Sequence, residues 1–337
     1  MDATQGELVL KGFSRLKFQS PKQALLEART NERRWWWEYL RLSKDYWLLC
    51  QTSTREKVQT QDQELARVYR RFGDVHQGSF DDWWLDRGAG IFKEVEKFPT
   101  VNELPRSPRD RATLKLRPDH IWVDIPLKLT RRTIQRKIGE ILDQYESLRL
   151  SNRLELTTAE FQLQPAKFGL HTLQKIHEVH SLHRELIAKP KALAAMQTGK
   201  SNFQQRADLF RIGKALGVSP SNEALRGDLT VIHKRQNRMR VSVSRLLGKC
   251  DLLIANVERG LFPSYNPVPA TERPRFNKRQ LEMHQDLEAQ WWALDLQSEL
   301  SAGKLEKARQ IHYEEELKIR DSYKSSKRNR TVVFSDA

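Results

Sequence analysis

The chain has 337 residues, 38% hydrophobic and 30% charged, with a mean hydropathy of −0.70 and a formal net charge of +16. That length supports two or three domains with real cores, and no run approaches the roughly 20 apolar residues of a membrane helix. The opening MDATQGELVLKGF lacks the charged-then-apolar order of a secretory leader, and two cysteines are too few for a disulfide framework or a thiolate zinc cage. Cys50 and Cys250 therefore read as small buried apolar residues, and the expected location is the cytoplasm, with no membrane partner.

The N-terminal third holds six of the nine tryptophans, at positions 35, 36, 37, 47, 83 and 84. Trp36, Leu40, Trp47 and Cys50 follow helical spacing, which predicts one amphipathic helix over residues 31–50. A second helix is expected over residues 63–72, ended by Gly73. Ser79 is the N-cap of a third, with Asp81 and Asp82 in its first turn and Gly88 and Gly90 closing it. Tryptophans at such spacing in a near-neutral segment read as core or protein interface, ahead of a stacking platform for single strands.

Leu114, Leu116, Ile121, Val123, Ile125, Leu127 and Leu129 then alternate with polar residues around Pro118, a hairpin signal. Further helices are expected over residues 131–145, 170–187, 202–216, 229–259, 278–300 and 304–323. The class is thus mainly α, multi-helical, with a minor β hairpin near residues 114–129. Proline-bearing stretches at 99–118 and 263–274 read as linkers and divide the chain into residues 1–98, 99–150, 151–262 and 263–337.

The positive excess is concentrated in the middle. Residues 1–98 carry 17 basic and 15 acidic side chains, residues 106–149 carry 11 and 6, and residues 203–250 carry 10 and 3. Such a distribution points to a polyanion, DNA first and RNA as the alternative. Thr130 opens a helix whose first two turns hold Arg131, Arg132, Arg136 and Lys137, where the backbone dipole already makes the potential positive. A phosphate at that end would relieve the repulsion. Downstream, Lys234, Arg235, Arg238, Arg240, Arg245 and Lys249 mark the second candidate contact surface. The basic tail at Lys324, Lys327, Arg328 and Arg330 reads as a disordered arm.

Residues Leu129 to Ile138, with Arg131, Arg132, Gln135 and Arg136 set around Thr133 and Ile134, resemble the recognition helix of DeoR-like helix-turn-helix regulators. The resemblance implies that Arg131, Arg132, Gln135 and Arg136 contact DNA while Ile134 and Ile138 face a core. It also implies a preceding helix, where the residues themselves read as a strand carrying Pro126. Residues 209–221 look like the first helix and turn of another helix-turn-helix, with Gly213 at the crossing, Gly217 left-handed and Val218 in the core. The segments Trp37 to Tyr46, Phe72 to Val75, Phe80 to Trp84 and Gly90 to Phe92 are similar to proteins of bacterial prophages and integrative elements. That resemblance implies a mobile-element setting and no defined chemistry.

Other chemistries lack their residues. His177 and His180 are one position short of the zincin spacing, so the histidines of residues 171–183 read as solvated or capping groups. No phosphate loop, no nucleophile motif and no converging carboxylate set is legible, so no cofactor and no metal is expected. The function expected is a non-enzymatic DNA-binding regulator or accessory factor. The alternatives are a nuclease or recombinase with a scattered site, and an interaction subunit of a nucleoprotein complex. A homodimer or a protein partner would use the aromatic N-terminal region and the C-terminal helices, where Trp291, Trp292, Leu296 and Leu300 form an apolar stripe.

Overall fold

The computed structural model of the protein describes residues 20–53, 57–93, 121, 123–145, 159–164, 169–198, 209–222, 228–269 and 275–332. Every regular element among these is helical, and the chain divides into two units, residues 93–160 and the union of 1–92 with 161–337. No helix among the described residues is long and apolar enough to cross a membrane.

The first helices start on side-chain caps that answer orphan backbone donors. Ser20 and Gln23 form a capping box on α1 (Pro21–Ala28), with Pro21 at the first helical position. Asn31 caps α2 (Glu32–Arg41), Ser43 caps α3 (Lys44–Thr52) and Asp62 caps α4 (Gln63–Phe72). The single helix expected over residues 31–50 is therefore two. Ser43 interrupts it because its hydroxyl accepts from the Tyr46 N–H at 2.9 Å, which restarts the helix in a new direction.

Ser79 and Asp82 form the expected cap on α5 (Phe80–Trp83), but Gly88 does not close it. The helix runs on through a π turn, Trp84–Gly88, into α6 (Ala89–Ile91). Gly88 is needed for space: a Cβ there would lie 2.7 Å from the rings of both Trp83 and Trp84. A second π turn, Arg184–Ala188, joins α8 (Leu170–His183) to α9 (Lys189–Thr198) immediately before Pro190. Widening the helix there accommodates a residue that has no N–H and crowds the preceding turn.

In the unit of residues 93–160, α7 (Arg131–Gln144) follows a turn in which Leu129 N–H reaches the Pro126 carbonyl at 3.1 Å. The β hairpin expected near residues 114–129 is overturned: no β-strand exists among the described residues, and Ile125, Leu127 and Leu129 are exposed. Alternation supplies one apolar face, but a strand also needs a neighbour for its N–H and C=O groups. Residues 114–120 lie outside the described set.

The remaining helices are α10 (Leu209–Ala215), α11 (Leu229–Val257), α12 (Lys278–Ala293) and α13 (Ala302–Val332). The tail expected to be disordered is thus helical through Val332. Two apolar clusters organise the larger unit. In the first, the wholly buried Trp36 meets Phe72, Phe92, Phe161 and Phe262 with ring centroids 5.2 to 6.0 Å apart. Each such ring pair adds roughly 0.5–1.5 kcal/mol beyond its area burial, so these contacts tie together segments far apart in sequence. The second cluster brings Leu182 of α8, Ile212 of α10, Val243 of α11 and Leu305 of α13 together. Helix α11 serves both: Val243 lies in the second cluster, Cys250, Leu253 and Val257 in the first, and Leu246 touches each.

Candidate nucleic-acid interface

The buried residues of α11, Met239, Val243, Cys250, Leu253 and Val257, recur at helical spacing and define its inner face. At about 100° per residue, Lys234, Arg238, Arg245 and Lys249 fall within about 60° of one another on the outer face. All four are exposed. From first to last they cover about 22 Å of helix axis, with each i, i+4 pair about 6 Å apart. Asp251 is the only acidic residue in the helix, and it projects from another side. None of the four cations has a carboxylate partner among the described residues; Lys249 Nζ lies 5.4 Å from the Tyr265 ring centroid. Arg235 and Arg240 flank the row and are half-buried. Arg240 donates to Asn237 Oδ1 at 2.9 Å and sits 5.9 Å from the Phe210 ring.

In the other unit, Thr130 Oγ1 accepts from the Thr133 N–H at 3.3 Å and caps α7 as its residue type suggests. Arg131, Arg132 and Gln135 are exposed, and no acidic residue occupies the first turn. Arg136 and Lys137 both reach Glu140, at 3.7 and 2.8 Å. The Lys137 hydrogen bond holds the Glu140 carboxyl below its usual range. Such exposed pairs are weak and exchange readily with a phosphate. Ile134 and Ile138 are half-buried, and no residue of α7 is fully buried. No helix precedes α7 among residues 123–129, the position where the DeoR-like resemblance implies one.

The 209–221 segment keeps the first half of its expected geometry. Gly217 has φ +62°, Val218 is buried, and Gly213 packs so closely on α11 that a Cβ would meet Met239 Cγ at 2.6 Å. The turn leads to a 3-10 turn, Pro220–Asn222, and residues 223–227 lie outside the described set. Lys214 is paired with Glu315 on α13 and is not free for a ligand.

Elsewhere the structure uses charge and aromatic surface internally. Trp35, Trp36, Trp37, Trp47, Trp83 and Trp84 are all buried in the first cluster, so they form core and no stacking platform. The histidines expected to be solvated include His177, which is wholly buried, and His180, which is half-buried. Burial lowers His177 to about 3 and His180 to about 4, so both are neutral imidazoles near pH 7. His177 packs its ring 5.6 Å from Trp35 and 5.7 Å from Tyr39.

Three interior carboxylates whose ion pairs the sequence did not show decide which cations are free. Glu38 receives Arg34 at 2.8 Å, Arg41 at 3.3 Å and the Ser298 hydroxyl at 2.8 Å. Glu178 receives Lys304 at 2.6 Å, and Glu258 receives Arg275 and the Ser43 hydroxyl, both at 2.5 Å. Arg34 and Arg41 stand four and three residues from Glu38 and were local signals, whereas Ser298, Lys304, Arg275 and Ser43 come from segments farther off in sequence.

Comparison with protein-family models, with curated proteins and with solved structures found no match to this chain.

Proposed function

We propose that this is a non-enzymatic nucleic-acid-binding protein that seats a sugar-phosphate backbone along the outer face of α11, with duplex DNA as the first ligand. A regulator or accessory factor of a bacterial mobile element is the role that fits this reading and the N-terminal resemblance. The observation that carries it is the row Lys234, Arg238, Arg245 and Lys249: exposed, aligned and without a carboxylate partner among the described residues, in a protein that neutralises many other cations. Four like charges on one helix face repel one another, and phosphates would relieve that repulsion. Arg131 and Arg132 at the capped start of α7 supply a second anion-binding end of the same chemistry.

The test is a salt titration of binding to labelled duplex DNA, single-stranded DNA and RNA. Each engaged phosphate contributes about −0.9 to the slope of log affinity against log salt on duplex DNA. Replacing all four residues by Gln is expected to reduce that slope by about 3 to 4. An unchanged slope in a folded variant would remove α11 from the interface, and no binding at low salt would remove the function. Divalent-dependent cleavage of the probe would favour the enzyme reading instead.

A further inference from the structure

Cys50 in α3 and Asp74 and His76 in the turn after α4 bring one sulfur, one carboxylate oxygen and one imidazole nitrogen within 4.8 Å of one another. The tautomer of His76 is fixed from outside the group. Its Nε2 lies 3.1 Å from the Arg41 carbonyl, an acceptor only, so Nε2 carries the proton and donates it. The other nitrogen, Nδ1, then presents a lone pair. It is buried, on a side chain only 6% exposed, and lies 3.4 Å from Asp74 Oδ1, the same oxygen that accepts the His76 backbone N–H at 2.9 Å. A lone pair opposite a carboxylate is repulsive unless a proton or a metal cation lies between them, and a metal that binds here takes the place of the proton. A histidine whose far N–H is held by a backbone carbonyl is also the usual outer support of a metal ligand.

We propose that Cys50, Asp74 and His76 form a binding site for a zinc-class divalent cation, with Cys50 Sγ, Asp74 carboxylate and His76 Nδ1 as ligands. Sulfur, nitrogen and oxygen together suit a borderline-soft ion and disfavour magnesium or calcium, which take oxygen. At zinc bond lengths, tetrahedral ligand atoms sit about 3.3–3.8 Å apart, so the Asp74–His76 separation already fits. The sulfur, within 4.8 Å of both, closes by at most about 1.5 Å of side-chain adjustment. Binding replaces the Cys50 thiol proton, which leaves to solvent as the thiolate bonds the metal. Asp74 also borders a surface cleft of about 990 Å³ lined by Gly73, Gln77 and Arg87, from which a water can supply the fourth ligand. Arg87 is held at Nε by Asp86 at 3.2 Å and at Nη1 by the Arg71 carbonyl at 3.4 Å.

The experiment uses the full chain stripped of metal, titrated with zinc against a chromophoric chelator and separately with cobalt. One equivalent should bind, and cobalt should give a near-ultraviolet thiolate charge-transfer band with tetrahedral visible bands. Cys50→Ser should abolish the charge-transfer band, and His76→Gln should weaken affinity at least tenfold. Cys250→Ser, in the buried face of α11, should change neither. Asp74→Asn provides a second readout should Cys50→Ser fold poorly. Sub-stoichiometric binding, a cobalt spectrum without thiolate character, or equal affinity in the Asp74 and His76 variants would overturn the site.

Discussion

Helices α2 and α11 both place arginines on successive turns, and the two sets meet opposite fates. In α2, Arg34 stacks 5.0 Å from the Trp37 ring and 4.7 Å from Phe80 while its guanidinium holds Glu38. Arg41 lies 4.6 Å from the same Trp37 ring and shares that carboxylate. In α11, Lys234, Arg238, Arg245 and Lys249 stand in solvent with no carboxylate among the described residues to hold them, and only Lys249 lies beside a ring, that of Tyr265. Arg34 and Arg41 of α2 are part of the core, whereas Arg238 and Arg245 of α11 are exposed. A count of basic residues cannot separate the two, because the difference lies in what the fold brings against each side chain.

Acid should break the interior side of this contrast most. His177 is unprotonated in the folded protein down to about pH 3 and His180 to about pH 4, whereas an unfolded chain takes up those protons near pH 6.5. Their stabilising contribution is complete above about pH 6.5 and is lost as pH falls toward those values. The loss is on the order of 4 to 5 kcal/mol for His177 at its lower limit. Denaturant midpoints measured across this range should fall steeply, and His177→Leu should flatten the profile. An unchanged profile would place His177 outside the core.

Glu38→Ala is expected to cost about 3–5 kcal/mol, because it strands Arg34 and Arg41 in the interior without their shared counter-charge. A loss below about 1 kcal/mol would mean that the network is solvated. Gly213→Ala should cost about 1–3 kcal/mol, since the new methyl meets Met239 and Val243 at the α10–α11 crossing. Calorimetry would register a neutral change if α10 can move away. Arg238→Ala should change stability by no more than about 0.5 kcal/mol, as expected for an exposed residue with no partner. Its effect belongs in the salt slope of nucleic-acid binding, and a large stability loss instead would assign it a structural contact.

Much of the helical framework was legible from local signals. Ser79, Thr130 and Asn277 cap helices as their residue types suggest, and Gln63–Phe72 ends at Gly73 where a left-handed residue was available. The apolar face of α11 could be read from spacing alone, but of the six cations read as its exposed face Arg235 and Arg240 are half-buried, which only packing decides. The two π turns were not legible, because they answer crowding between Trp83, Trp84 and Gly88 and the demands of Pro190 inside a packed helix. The hairpin near residues 114–129 was misread for a related reason: alternation looks the same whether or not a neighbouring strand exists to accept the backbone.

The sequence by itself determined a helical protein with capped starts, a tryptophan-rich core segment and a cationic face on one long helix, since these follow from 3.6-residue spacing and side-chain chemistry. Only the tertiary structure decided that Trp36 packs against Phe161 and Phe262, that Glu38, Glu178 and Glu258 absorb distant cations, and that Cys50 meets His76. Those outcomes depend on which surfaces exclude water together, and burial is a property of the whole packed chain that no local stretch encodes.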